Sequence, residues 1–275
     1  MSNIFIFTLT WNAEEKLINL YNSIKPILNQ DNVKWFIKDN DSKDNTAAIA
    51  STWENTNLIK YPNNLQNFAQ GMNYLFNIAS PKDSDYIVLL NNDVVCQEIS
   101  SIKNMISIMD KDSNVGVVGA RLMYPNSDVV QHAGVGFLKV NKMPWHIWRG
   151  EKLNPHMLKN KEFQTVTGAV LLTKAGLYKN VCTTNQSKIN GMDERYNWSF
   201  EDTDLCFAIK FNMNKKIVYC GDTNFSHEES ASLKKNPQDK LFVSNNVRLF
   251  TQKWHTKYIA DYDFYKNNIN YNLYK

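Results

Sequence analysis

An α/β fold with a mainly parallel central sheet is predicted by three features of this 275-residue chain. Short β-rich apolar runs alternate with helical patterns through the first half, which is the pattern of βαβ units. The run Tyr86 to Leu90 is apolar throughout, as a central strand covered on both faces requires. The polar turns after these runs fall at the carboxyl edge, where open sheets bind ligands.

In chain order, Ile4 to Leu9 reads as a strand, Ala13 to Leu28 as a helix, Val33 to Ile37 as a strand and Thr46 to Trp53 as a helix. Leu58 to Tyr61 is a third strand, Phe68 to Ala79 a helix stopped by Pro81, and Tyr86 to Leu90 the fourth strand. The second half is less regular. Val115 to Tyr124, Val135 to Val140, Val166 to Thr173 and Ile217 to Cys220 read as strands, while Asp202 to Phe211 and Asp239 to Trp254 read as helices. Residues 141–162 have no clean period and read as a long ordered loop. No repeat or Pro/Gly/Ser linker divides the chain, so a single domain over 1–250 is expected, followed by an aromatic tail at 251–275.

Composition excludes several classes. Hydrophobic residues make up 43% and charged residues 21%, enough apolar material for a large core, so global disorder is excluded. The first glycine is Gly71, so no glycine-rich phosphate loop can follow the first strand, and Rossmann dehydrogenases and P-loop NTPases fall away. Residues 1–137 carry 10 basic and 14 acidic side chains and residues 138–275 carry 21 and 13, so an anionic ligand favours the second half. Just four of the basic residues are arginine, which argues against nucleic acid. Cys96, Cys182, Cys206 and Cys220 form no CxxC pair and read as reduced thiols of a cytoplasmic protein. No apolar run reaches the roughly 18–20 residues of a membrane helix, and the first residues lack the basic start of a signal peptide.

Four constellations can carry chemistry. Turn formation accounts for most of Lys38 to Thr46, but Asp39 comes at the strand's end, where a carboxylate can accept a pyrimidine imide N–H. Asn91-Asn92-Asp93 follows the buried strand, and Asp93 offers a hard oxygen to Mg²⁺ or Mn²⁺ on a diphosphate. Asp193, Glu194, Glu201, Asp202 and Asp204 put five carboxylates within twelve residues beside Trp198, more than helix capping requires. One of them can act as a general base on a hydroxyl, with the indole facing a sugar. His227 ends a strand pair and is either structural or part of a metal shell.

Taken in order, these segments resemble the inverting GT-A glycosyltransferases of family two, in particular the rhamnosyltransferase-like branch, over about residues 3–250. The likeness rests on Thr10-Trp11-Asn12, on Lys38 to Ser42 and on Asn67 to Asn73. It continues through Leu90 to Val94, Gln131-His132-Ala133-Gly134, Thr167-Gly168-Ala169, Asp193-Glu194, Glu201 to Cys206 and His227. The resemblance implies a GT-A fold: a Rossmann-like sheet flanked by helices, a nucleotide-binding half at 1–95 and an acceptor and catalytic half at 96–250. It implies that Asp39 binds the donor's base, that Thr10, Asn12, Asn73, Asn91, Asn92 and Asp93 line the donor site, and that Asp93 and His227 hold Mn²⁺ or Mg²⁺. Asp202 is then the base, and Gly168, Asp193, Trp198 and Glu201 face the acceptor. The implied partners are a UDP- or dTDP-sugar and a glycan or lipid-linked acceptor, without nucleic acid. Asp41 and Asn67 stand where the family commonly has glycine. The alternatives are a non-catalytic nucleotide-sugar-binding descendant and a sugar-nucleotide pyrophosphorylase, which would want a glycine-rich basic loop after the first strand. The tail mixes seven aromatic residues with lysines, which suits a lipid interface, but Asp261, Asp263 and its asparagines favour packing on the domain.

Overall fold

The computed structural model describes residues 2–60, 67–181, 191–197, 199–228, 237–268, 270 and 273–274, with side chains from 243 onward in the 237–268 stretch. Trp198, Cys182 and Tyr271 lie outside the described residues. The first half runs β1 (Ile4–Thr10), α1 (Glu14–Leu28), β2 (Val33–Asp39), α2 (Thr46–Ala50), β3 (Thr56–Lys60), α3 (Phe68–Ala79), β4 (Tyr86–Leu90) and β5 (Val94–Cys96). It continues through α4 (Ser100–Lys111), β6 (Val115–Met123), β7 (Val130–His132), β8 (Val135–Phe137) and β9 (Pro144–His146). The remainder is β10 (Lys161–Phe163), β11 (Val170–Lys174), α5 (Ala175–Asn180), α6 (Glu201–Phe207), β12 (Lys216–His227), α7 (Pro237–Trp254) and α8 (Tyr262–Asn267).

One sheet dominates, in the order β10-β12-β6-β11-β4-β1-β2-β3, with β5 pairing β12 and β7 pairing β6. β1, β2, β3 and β4 are mutually parallel, and β12 is parallel to β6. β11 is antiparallel to both of its neighbours, so the sheet is mixed rather than purely parallel. β4 lies between β1 and β11, and all five of its residues are buried, as its unbroken apolar run requires.

Strand alternation builds two cores. Phe5, Phe7 and Phe36 face one side with α3, while Ile4, Ile6, Trp35 and Ile37 face the other with α1 and α4. α1 covers its side through Leu17, Leu20, Ile24, Ile27 and Leu28, an apolar stripe at helical spacing. Cys96, Cys206 and Cys220 are free and buried, which raises their thiols to about 11, 12 and 12.

Several sequence expectations need correction. The 141–162 stretch holds β9 and a single 3₁₀ turn, Pro155–Leu158, before β10 begins. The expected strand at Val166 starts at Val170, because 168–169 form the turn that feeds it. The expected strand to Val140 stops at Phe137, and the helix expected over 202–211 is α6 followed by a π turn over Ala208–Asn212. β12 is one strand with an irregularity between Cys220 and Phe225; it pairs β6 on both sides of it and takes β5 on its other edge at its end. Beyond α7 the chain packs inward. Asp261 and Tyr265 are buried, and the Tyr274 hydroxyl donates to Asp112 Oδ2 at 3.1 Å. Among the described residues no helix is long and apolar enough to cross a membrane.

Candidate active site

The ends of β1 and β2 form one polar corner. Asp39 is buried; its Oδ2 accepts the Ser42 N–H at 3.0 Å and its Oδ1 the Ser42 hydroxyl at 2.5 Å. Ser42 Oγ accepts the Asn12 N–H at 2.9 Å, and Asn12 Oδ1 accepts the Lys43 N–H at 2.7 Å. Asn92 Nδ2 donates to Thr10 Oγ1 at 3.2 Å, so the turn after β4 joins the same corner. Thr10, Asn12, Asp39 and Asn92 are therefore brought together. Asp41 has φ 63°, a left-handed conformation that explains why glycine suits this position and means that Asp41 holds it under strain. Asn67 caps α3 by accepting the Gln70 N–H at 2.9 Å and ties it to Glu194 O at 2.9 Å.

Asp93 and His227 meet because β12 ends antiparallel to β5, with His227 paired to Val94. His227 Nε2 lies 3.1 Å from Asp93 Oδ1, and both side chains are largely buried. Gln131 Nε2 donates to the His227 carbonyl at 3.0 Å, which leaves Gln131 Oε1 facing His227 Nδ1 at 2.7 Å. An amide oxygen can only accept, so Nδ1 carries a proton. A neutral His227 then turns the lone pair of Nε2 toward a carboxylate oxygen. That arrangement is repulsive unless a cation or a proton stands between them, and this donor set fits a divalent ion. No group of three His, Cys, Asp or Glu that could hold a metal occurs among the described residues, so further ligands would come from the substrate or water.

The acidic cluster divides in two. Asp193 is fully buried: burial alone would raise its carboxyl, but Arg195 at 2.5 Å and Lys253 at 2.9 Å hold it below the usual range. Asp204 is equally buried and takes Lys253 Nζ at 2.7 Å, Trp254 Nε1 at 2.7 Å and the Tyr196 hydroxyl at 3.0 Å. Glu194 accepts from Asn73 Nδ2 at 2.9 Å. Asn73 also donates to Met192 O and accepts from Tyr178 and from Met192 N, so it ties α3 to the 191–196 loop instead of facing the donor. Asp193 likewise offers no free face to an acceptor.

Glu201 and Asp202 remain. The chain enters α6 through Ser199 at φ 94° and Phe200 at φ 74°, two non-glycine residues in the left-handed region. Asn246 of α7 holds this turn by donating to Asn197 O at 2.6 Å and to Ser199 O at 2.9 Å. Asp202 Oδ2 accepts the Gly168 N–H at 2.7 Å, and Oδ1 accepts the Thr203 N–H at 2.7 Å. The buried Glu201 Oε2 has no hydrogen-bond partner. Burial, and then the charge of Asp202, push Glu201 up to about 8; burial also raises Asp202, but Gly168 and Thr203 favour its ionised form. The two carboxyls titrate together, and the N–H donors on Asp202 favour charge there over the unpartnered Glu201 Oε2. Ala169 O accepts the Asn91 N–H at 3.0 Å, so the segment that grips Asp202 is also bonded to the Asn91-Asn92-Asp93 turn.

The family model described as glycosyl transferase family 2 matches residues 5–180. The chain belongs to glycosyl transferase family 2. No curated protein matches this family 2 chain in sequence. Among solved structures it is similar to GalNAc-T7 with UDP, GalNAc and Mn²⁺, with a TM-score of 0.66 and 11% identity over 98% of this chain and 51% of that one. It is similar to the mannosyltransferase PcManGT from Pyrobaculum calidifontis with GDP-Man and Mn²⁺ (0.61, 11% identity, 97% and 68%). It is also similar to S. aureus TarS 1-349 with UDP-GlcNAc (0.58, 14% identity, 97% and 70%). The chain spans about half the length of the GalNAc-T7 chain. These likenesses show the GT-A fold, and with the family they make this chain a glycosyltransferase domain.

Two residues of this family 2 site escape sequence reasoning. Gln131, which sets the His227 tautomer, lies in the Gln131-His132 stretch, but only the strand pairing reveals its partner. Trp11, in the polar corner at the end of β1, is 61% exposed, an unusual position for an indole beside Asn12 at φ 45°.

Proposed function

We propose that the protein transfers a sugar with inversion from a UDP- or dTDP-sugar to a hydroxyl of a glycan or lipid-linked acceptor, in the manner of the rhamnosyltransferase-like branch. The observation that carries this reading is the link from Asp202 through Gly168 and Ala169 to Asn91. It sets the Asp202 carboxyl beside the turn that bears Asp93.

Asp39 accepts the imide N–H of the base with lone pairs that Ser42 leaves free, and Trp11 offers its face to the ring. Thr10, Asn12, Asn91 and Asn92 line the donor around it. Asp93 and His227 would hold Mn²⁺ or Mg²⁺, which when bound supplies charge stabilisation to the departing diphosphate. Asp202 takes the proton of the acceptor hydroxyl, and the hydroxyl oxygen bonds to the anomeric carbon as the bond to the diphosphate breaks. One displacement inverts that carbon. Gly168 and Glu201 sit on the acceptor side, Gly168 by holding Asp202 and Glu201 by its unpartnered oxygen.

A thermal-shift panel of UDP-, dTDP- and GDP-sugars, each with and without Mn²⁺, tests the donor assignment. A ligand at 100-fold its dissociation constant adds about 2.7 kcal/mol. The reading expects a metal-dependent shift with a uridine or thymidine donor, and a shift confined to GDP-sugars would overturn it.

A further inference from the structure

The β8–β9 hairpin packs against the segment after α7. Gly136 stands opposite Trp145 in the hairpin, so both point to the same face. A Cβ built at Gly136 would come within 2.7 Å of the Tyr262 backbone, which puts that face against the start of α8. The Phe137 N–H donates to Asp261 Oδ1 at 2.9 Å, its ring stacks on Tyr258 at 5.2 Å, and Lys142 Nζ lies 5.7 Å from the Tyr258 ring.

What these contacts leave outside is apolar and cationic. Val140 at the hairpin tip is 89% exposed, Ile259 69%, Trp145 46% and Phe264 44%. Lys139, Lys142 and Lys257 are exposed, and the Arg149 guanidinium lies 5.6 Å from the Trp145 ring. The nearby acids are mostly engaged: Glu151 with Lys266 at 3.4 Å, Asp128 with Lys152 at 3.6 Å, and Asp261 with Phe137 and Gln164. Asp263 alone among these is left exposed without an ion pair in the described residues.

We infer that this surface seats the protein on an anionic membrane, with Val140, Trp145 and Ile259 entering the headgroup layer and Lys139, Lys142, Arg149 and Lys257 meeting lipid phosphates. Large apolar side chains interleaved with lysines suit a lipid interface, where stems lie along apolar groups and ammonium heads reach phosphates. The centre of a protein–protein interface is by contrast depleted of lysine. The hairpin also reaches the donor side: His146 Nδ1 lies 2.8 Å from His132 Nδ1, next to Gln131 that sets His227. That a seated protein presents its site to a lipid-linked acceptor rests on the transferase reading; the membrane contact does not.

The test is flotation of the full chain with phosphatidylcholine vesicles, with and without phosphatidylglycerol, at low and high salt. UDP titration serves as a separate check on folding and on the donor site. The inference expects flotation that needs phosphatidylglycerol and falls with salt, about thirtyfold weaker partitioning for K139Q/K142Q, and loss for V140D/I259D, all with unchanged UDP affinity. Absence of flotation on both vesicles, or equal flotation on pure phosphatidylcholine, overturns it. So does a dimer in sedimentation that V140D/I259D dissociates while no flotation occurs, which would give the surface to a second copy.

Discussion

The backbone N–H of Gly168 lies 2.7 Å from Asp202 Oδ2, and a Cβ at position 168 would stand 2.9 Å from the Asp202 Cβ. The smallest side chain would therefore push the proposed base from its seat. G168A is expected to lower turnover on the order of 10²-fold, the scale of an ångström's misplacement of a reacting group, with donor affinity unchanged. Equal loss of donor affinity, measured by calorimetry, would instead make Gly168 part of the donor pocket.

Gln131 positions His227 by accepting its Nδ1 proton. Q131L removes that acceptor and is expected to cut the Mn²⁺-dependent gain in UDP affinity by about 10–100-fold, leaving metal-free UDP binding as it was. H227A and D93A should abolish the gain. A calorimetric titration of UDP with and without Mn²⁺ measures all three, and an intact gain in H227A would make the histidine structural.

Much of the fold is legible in the chain because strands and helices declare themselves by period. Tyr86 to Leu90 specifies its central place by lacking any polar residue. α4 was equally open to reading, since Ile102, Met105, Ile108 and Met109 recur at helical spacing, but its polar face and weak ends leave it unassigned in the sequence analysis. The site was legible as a set of carboxylates but not as roles. Arg195, two residues on, is a local partner for Asp193, but nothing of that kind distinguishes Asp204 from Asp202. The difference is Lys253, about fifty residues away, whose ammonium pairs with Asp193 and Asp204 but not with Asp202. Asn73 misleads for the same reason, because its partners Met192 and Tyr178 are distant in sequence.

Lys253 lies between two carboxylates with no exposed surface, Asp193 and Asp204. K253A leaves Asp204 buried without its cation, while Asp193 keeps Arg195, and should cost about 3 kcal/mol of stability. Urea unfolding reads this directly. A loss of less than about 1 kcal/mol, the scale of an exposed pair, would show that water reaches the network.

Glu201 gives the protein a pH signature. Its carboxyl is raised from 4.5 to about 8 by burial and by Asp202. Between those values the folded state holds a proton that the unfolded state has released, so stability falls as pH rises through that window. E201Q carries no such proton. Its stability relative to the parent should grow with pH across the window by up to about 1.4 kcal/mol per unit. Parallel stability curves for the two proteins would place the proton elsewhere.

Release of nucleoside diphosphate from the best-bound nucleotide sugar, compared between the parent protein and D202N alongside donor affinity, tests the central claim most directly. The amide keeps the shape of Asp202 and removes its basicity. The account predicts metal-stimulated release by the parent and a loss of ~10²–10⁴-fold in D202N at unchanged donor affinity. Equal release by D202N, or none by the parent from any donor that it binds, would contradict it.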